Sequence, residues 1–274
     1  MNPFRQLLKA AGSHSPLGTW IMSASPIVAE AVGHTGLDWG VVDMEHAPLD
    51  MLDLVHLLQA LAGTKMVPVV RVPWNDAVTV KRVLDAGAQT LLFPFIQSAD
   101  EARGAVAATR YPPEGVRGMA GMSRASHFGT TAGYVKTANQ SIGVIAQLET
   151  VQALTALDAI AAVPGIDALF IGPADLSASM GLTGQSSHPQ VMDAMARAAQ
   201  RCRELGKPVG TVAGSAAAVV QHRAAGFDFL AISSDLGLMM QGAQAAVNAL
   251  RTPDGELHVH SLTGGTRTSD SGTV

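Results

Sequence analysis

The sequence predicts an α/β chain closed into a single (β/α)8 TIM barrel, and three observations carry that expectation. Eight short runs rich in apolar and β-branched residues recur between helix-patterned segments: LGTWIM (17–22), DWGVVDM (38–44), MVPVVRV (66–72), AQTLLFPF (88–95), GVIAQLE (143–149), DALFIG (167–172), KPVGTV (207–212) and FDFLAIS (227–233). Each run is apolar nearly throughout instead of alternating, the pattern of strands covered on both faces. Eight strand–helix repeats within 274 residues suit one barrel. A doubly wound open sheet is the alternative, but its Rossmann form would need a G-x-G-x-x-G after the first strand, which is missing.

The connecting segments carry helix signals in order. Ser25-Pro26 offers a cap followed by proline at the first helical position. Leu52, Val55, Leu58 and Leu61 form an apolar stripe before the third strand, and Asn75 is expected to cap the helix over 76–84. Ser98 followed by Glu101 has capping-box spacing. Residues 96–141 are too long for one crossover and hold YPPEGVRGMAGMSRASHFG. They predict a long excursion between strands four and five that serves as an active-site loop or an interface arm. Val191, Met195, Ala198, Cys202 and Leu205 repeat at helical spacing, which makes Cys202 a core residue. From Thr252 onward Ser, Thr and Gly dominate, so the barrel is expected over 1–251 and a disordered tail over 252–274.

Composition narrows the function. At 47% hydrophobic and 15% charged the chain can bury a large core, and a net charge of −4 argues against nucleic acid. No run reaches the roughly 18 apolar residues of a membrane span. The opening MNPFRQLLKAAGSHSP has no apolar stretch of a secretory leader, and one cysteine builds no disulfide framework. A cytoplasmic enzyme acting on a small molecule is expected.

In such a barrel chemistry collects at the C-terminal ends of the strands. Those ends read Asp43-Met44-Glu45-His46, Arg71, Gln147-Leu148-Glu149 and Gly172-Pro173-Ala174-Asp175. Gln147 and Glu149 are two apart on a strand and share a face. Glu149 and Asp175 make a two-carboxylate site for Mg²⁺ or Mn²⁺, the alternative being a buried Glu149–Arg71 ion pair. After Gly172 and Pro173, the amides of Ala174 and Asp175 open a helix and suit an anion, so a 2-oxo acid could chelate the cation and place its carboxylate there. His46 can take a proton near neutral pH, and Arg71 can stabilise an oxyanion or enolate. None of the five lysines ends a strand, which disfavours an imine mechanism.

The segments VDMEHAPLD, PVVRVPWND, LDAGAQTLLFPF, YPPEGVRG, AQLET and LFIGPADLSASMG together resemble the metal-dependent class II pyruvate aldolases of the 4-hydroxy-2-oxoheptanedioate and 2-dehydro-3-deoxyglucarate aldolase family, over residues 4–250. The resemblance implies a (β/α)8 barrel assembled as a hexamer with its last helix exchanged between subunits. It also implies Mg²⁺, Mn²⁺ or Co²⁺, and reversible cleavage of a 4-hydroxy-2-oxo acid to pyruvate and an aldehyde. By that resemblance Glu149 and Asp175 match metal ligands, Arg71 the enolate-stabilising residue and His46 the base. Gln147, Ala174 and Asp175 match pyruvate-binding positions, and Asp85 matches an aspartate that raises the basicity of the histidine. Asp85 precedes strand four and so belongs at the opposite end of its own barrel. Either it reaches the site of a neighbouring subunit, or Asp43 is the partner of His46. In the excursion, Arg124 is the choice for the distal carboxylate of a dicarboxylic substrate. Other readings are a phosphosugar isomerase or synthase using Gly214-Ser215 and Ser233-Ser234, oxaloacetate decarboxylation on the same enolate site, and a barrel that only binds carboxylates.

Overall fold

Eight parallel strands pair in chain order and close on themselves. They are β1 (Leu17–Ile21), β2 (Trp39–Asp43), β3 (Val67–Arg71), β4 (Thr90–Phe93), β5 (Gly143–Leu148), β6 (Ala168–Ile171), β7 (Val209–Ala213) and β8 (Phe229–Ser234). β2, β4, β5 and β6 are buried at every position, as the continuously apolar runs require. This computed structural model describes residues 1–12 and 14–251, so the tail expected from Thr252 lies outside the described residues. Residues Met1–Gly237 form one compact unit that contains the whole barrel, and the chain from Leu238 forms another. Among the described residues no helix is long and apolar enough to cross a membrane.

The crossover helices are α2 (Pro26–Gly33), α3 (Met51–Leu61), α4 (Ala77–Asp85), α5 (Ala99–Ala108), α6 (Tyr134–Ser141), α7 (Val151–Thr155), α8 (Leu157–Ala161), α9 (Pro173–Ser179), α10 (Pro189–Glu204) and α11 (Ala216–Ala225). α1 (Pro3–Ala10) precedes the barrel and α12 (Asp235–Leu250) follows β8. Ser25 and Ser98 cap α2 and α5 as expected. Three local expectations need correction. Asp76, not Asn75, caps α4: its carboxylate accepts from Thr79 N and Thr79 Oγ1, and these bonds hold its pKa below the usual value. In α3 the buried residues are Leu54, Leu57, Leu58 and Leu61, while Leu52 is 65% exposed. That helix is apolar on most sides, so periodicity alone could not choose its inner face. Leu205 caps α10 and is exposed, leaving Val191, Met195, Ala198 and Cys202 as its buried stripe.

The N-terminal end of the barrel is plugged by aromatic rings, which leaves polar groups to the other end. Asn2 caps α1 and delivers Phe4, whose ring packs edge-on against Trp39 at 5.8 Å and Phe229 at 5.2 Å. Glycines make room: a Cβ at Gly18 would lie 2.4 Å from the Trp39 ring, and one at Gly210 2.3 Å from Phe229.

Between β4 and β5, α5 supplies the crossover and the excursion then runs on to α6. Its YPPEGVR stretch is pinned to the end of α5 by Val116 N–H to Ala107 O and Arg117 N–H to Arg110 O. The Asn139 amide brackets the Tyr111 backbone, accepting from its N–H and donating to its carbonyl.

Candidate active site

The C-terminal mouth gathers the polar strand ends. Asp43 and Arg71 are register partners on β2 and β3, so both side chains enter the barrel side by side. Arg71 Nε donates to Asp43 Oδ1 at 2.8 Å and Nη2 to Oδ2 at 2.7 Å, a bidentate pair buried at both ends. Nη1 lies 2.8 Å from Glu45 Oε2, and the guanidinium sits 4.2 Å over the Trp20 ring. The alternative Glu149–Arg71 pair is therefore replaced: Arg71 is held by Asp43 and Glu45.

Glu149 is 2% exposed and has its own partners. Oε1 accepts from Phe95 N–H and Oε2 from Gln147 Nε2. Phe95 offers that N–H from a left-handed backbone, φ +57°, and its ring stacks on Trp74. Gly172 is needed beside it, since a Cβ there would lie 2.6 Å from Glu149 Oε2. Burial pushes the Glu149 pKa up, hydrogen bonds from Gln147 and Phe95 pull it back, and the Asp175 and Glu45 carboxylates raise it again. Glu45 is likewise raised, first by burial, with Arg71 opposing. Gln147 Oε1 is buried without a hydrogen-bond partner among the described residues.

Asp175 stands in the first turn of α9, after Gly172 at the cap and Pro173 at the first helical position. The N–H groups of Ala174 and Asp175 belong to the opening turn, where a helix leaves its amides unpaired. His46 is mostly exposed at the rim, with Nε2 3.9 Å from Glu45 Oε2.

Two predicted residues lie elsewhere in this chain. Asp85 ends α4, and its Oδ1 accepts from Arg117 Nη2 at 2.8 Å. Arg124 donates to Ala86 O at 2.9 Å and packs over Gly87. Asp85 and Arg124 thus share a second cluster, apart from His46. Asp43 does not pair with the His46 ring either: its Oδ1 accepts from the backbone N–H of Glu45 and His46 while the carboxylate clamps Arg71. Ser215 after β7 and Ser234, the last residue of β8, cap helices, Ser215 Oγ accepting from Ala218 N–H and Ser234 Oγ from Gly237 N–H.

Sequence reasoning assigned no role to Glu45, Trp20 or Phe95. Glu45 stands two residues after Asp43, a spacing that could have flagged it. Phe95 acts through its backbone, which no residue type signals.

Residues 17–242 match the family described as HpcH/HpaI aldolase/citrate lyase. The chain belongs to this family. It is 47% identical over 237 residues to a 2-dehydro-3,6-dideoxy-6-sulfogluconate aldolase of Pseudomonas putida, covering 86% of this chain and 93% of that one. It is 45% identical over 258 residues to a hydroxypyruvate/pyruvate aldolase of Paraburkholderia phytofirmans, covering 92% and 98%. A solved HpcH/HpaI aldolase/citrate lyase family protein from Burkholderia cenocepacia superposes with a TM-score of 0.88 at 42% identity, covering 92% of this chain and 100% of that chain. The chain is a lyase of this aldolase family, and two of its lysines stand at the starts of strands, away from the strand ends that carry the polar groups. Lys65 and Lys207 precede β3 and β7, and Lys207 Nζ donates to Ile166 O. Cys202 is buried, its thiol pushed up to about 12 chiefly by burial, so it is no thiolate nucleophile.

Proposed function

We propose that this chain cleaves a 4-hydroxy-2-oxo acid, such as 4-hydroxy-2-oxoheptanedioate, reversibly to pyruvate and an aldehyde. The observation that carries the reading is the crowding of Glu45, Glu149 and Asp175 at one mouth, where Arg71 is paired with Asp43 and Glu45 and Glu149 has no cationic partner among the described residues. Glu149 and Asp175 fit a divalent cation, Mg²⁺, Mn²⁺ or Co²⁺. They are hard oxygen donors, and the burial and like charge that raise Glu149 are what a cation relieves. The unpaired Gln147 Oε1 adds an acceptor on the same wall. When bound, the cation supplies Lewis-acid polarisation of the 2-oxo group.

The protein's own residues divide the remaining work. The Ala174 and Asp175 amides, preset by Gly172 and Pro173, receive the substrate carboxylate, with Gln147 alongside. His46 takes the proton from the C4 hydroxyl as the C3–C4 bond breaks, and the electron pair stays on the pyruvyl carbon as an enolate. Arg71 donates to the oxygen that gains this charge, and its Asp43 clamp fixes its direction. Asp85 and Arg124 would serve the mouth of a neighbouring subunit in an oligomer, a hexamer in this reading. Asp85 would support the histidine there, and Arg124 would meet a distal carboxylate of the aldehyde portion. The buried single cysteine suits a reducing cytoplasm.

The experiment is pyruvate release from 4-hydroxy-2-oxoheptanedioate after EDTA stripping and then with Mg²⁺, Mn²⁺ or Co²⁺ restored. Release lost on stripping and regained with metal is expected. Release indifferent to stripping removes the Glu149–Asp175 cation site.

A further inference from the structure

The Arg117 side chain has no exposed surface, yet it is poorly satisfied. Nη2 donates to Asp85 Oδ1 at 2.8 Å and lies 3.5 Å from Tyr134 Oη, and the guanidinium lies 4.5 Å over the Tyr111 ring. Nε and Nη1, and the neighbouring Tyr111 Oη, have no hydrogen-bond partner among the described residues. Burying a charge with so few acceptors is costly, and an apolar residue of similar length would fill the space at lower cost. Stability therefore does not account for an arginine here.

Delivery of the side chain is rigid. The backbone of Val116 and Arg117 is bonded to Ala107 O and Arg110 O, and position 115 admits only glycine, because a Cβ there would lie 2.2 Å from Ala107 O. The partner is the opposite: Asp85 is 25% exposed, with Oδ1 held by Arg117 and Oδ2 without a hydrogen-bond partner among the described residues. The geometry is that of a fixed buried cation aiming a half-open carboxylate outward.

We propose that Arg117 is a positioning residue, which orients Asp85 so that its second oxygen is presented to the active site of a neighbouring subunit. This rests on the reading of Asp85 given above. A guanidinium suits the task, since its planar fork sets direction as well as distance, which an ammonium does not.

The test uses the full-length, metal-loaded protein and four variants: Arg117→Met, Arg117→Lys, Asp85→Asn and the Arg117→Met/Asp85→Asn double. Pyruvate release gives kcat and KM, and thermal melts and sizing establish folding and assembly. Asp85→Asn is expected to lower kcat by about a hundredfold, the low end for a group engaged in proton transfer. Arg117→Met should lower kcat about tenfold or more with KM little changed, and Arg117→Lys should recover part of that loss. The double variant should be no worse than Asp85→Asn alone, because Arg117 then has nothing to aim. Multiplying losses in the double variant, or a folded Arg117→Met with wild-type kcat, overturns the proposal while Asp85 stands. Wild-type kcat in Asp85→Asn overturns the reading of Asp85 and this proposal with it. If Arg117→Met does not fold, Arg117→Lys combined with Asp85→Asn decides the same question by the same non-additivity.

Discussion

Glu149→Gln separates what the carboxylate contributes to function from what it costs the fold. The carboxylate is almost fully buried and its pKa is raised, burial being the largest cause. A carboxyl raised in the folded state costs stability as pH climbs through that raised value, because the unfolded chain ionises more readily. The glutamine side chain keeps the shape and removes the charge. Its oxygen can still accept from Phe95 N–H, and its amide can meet Gln147 once that side chain turns its unpaired Oε1 inward. Without metal, the variant should therefore melt above the wild type at pH 7.5, with the gap closing toward pH 4. With Mn²⁺ the order should reverse. Ligand at a hundred times its dissociation constant stabilises by about 2.7 kcal/mol. For a chain of this size that is about 5–11 °C in melting temperature, at roughly 2–4 °C per kcal/mol. The wild type should show this rise and the variant should not, and metal-dependent pyruvate release should vanish. The assay is differential scanning fluorimetry in EDTA and in Mn²⁺, beside a coupled pyruvate assay. An equal Mn²⁺-induced rise in both proteins refutes the cation site; a variant that melts lower without metal refutes the desolvation argument.

Arg71→Ala should lower turnover by about 10²–10³, the size of losing one oxyanion donor. The same change strands Asp43 and Glu45 and should destabilise by about 3–5 kcal/mol, read by chemical denaturation; near-normal turnover removes Arg71 from the mechanism. Phe4→Ala opens the aromatic plug and should cost about 3–5 kcal/mol while leaving the KM for substrate unchanged, since the plug lies at the far end from the mouth. Cys202 should resist iodoacetamide at pH 8 and react only on unfolding, followed by intact-mass measurement; rapid labelling of native protein contradicts its burial. Burial holds the His222 imidazole below its ordinary value, so the unfolded chain binds this proton more readily. Stability should accordingly fall as pH drops below about 6.5, and His222→Phe should lose that part of the slope in denaturation curves at pH 5 and 7.5.

What the sequence made legible follows from where each signal lives. A barrel exposes the C-terminal ends of its strands, so Asp43, Arg71, Glu149 and Asp175 could be picked out one by one from strand ends alone. Their pairing could not, because it depends on register. Asp43 lies opposite Arg71 across the β2–β3 ladder, and that alignment gives Arg71 to Asp43 instead of Glu149. The α3 face was illegible for a different reason: Met51, Leu52, Leu54, Val55, Leu57 and Leu58 surround the helix, and only packing against the barrel selects among them. Phe95 contributes an N–H and Arg117 is buried against the habit of its residue type, so neither betrays its place in a one-dimensional pattern.

Among the described residues, the mouth carries more negative charge than the Arg71 guanidinium balances. Asp43 and Glu149 are buried there, with Glu45 and Asp175 beside them, and the charge of Arg71 is already balanced by Asp43 and Glu45 while its remaining N–H groups stay free to donate. The substrate of the proposed reaction is itself an anion and becomes more so as the enolate forms. A pocket meant only to bind carboxylates would hardly line itself with acids, since like charge repels the ligand and each buried carboxylate carries a desolvation cost. The arrangement becomes favourable once a divalent cation stands between Glu149, Asp175 and the 2-oxo acid, because one charge then offsets protein and substrate together. The excess acidity of the mouth is thus an argument for the cation of the proposed site. It predicts that pyruvate affinity, measured by calorimetry, depends on metal in the wild type and loses that dependence in Glu149→Gln.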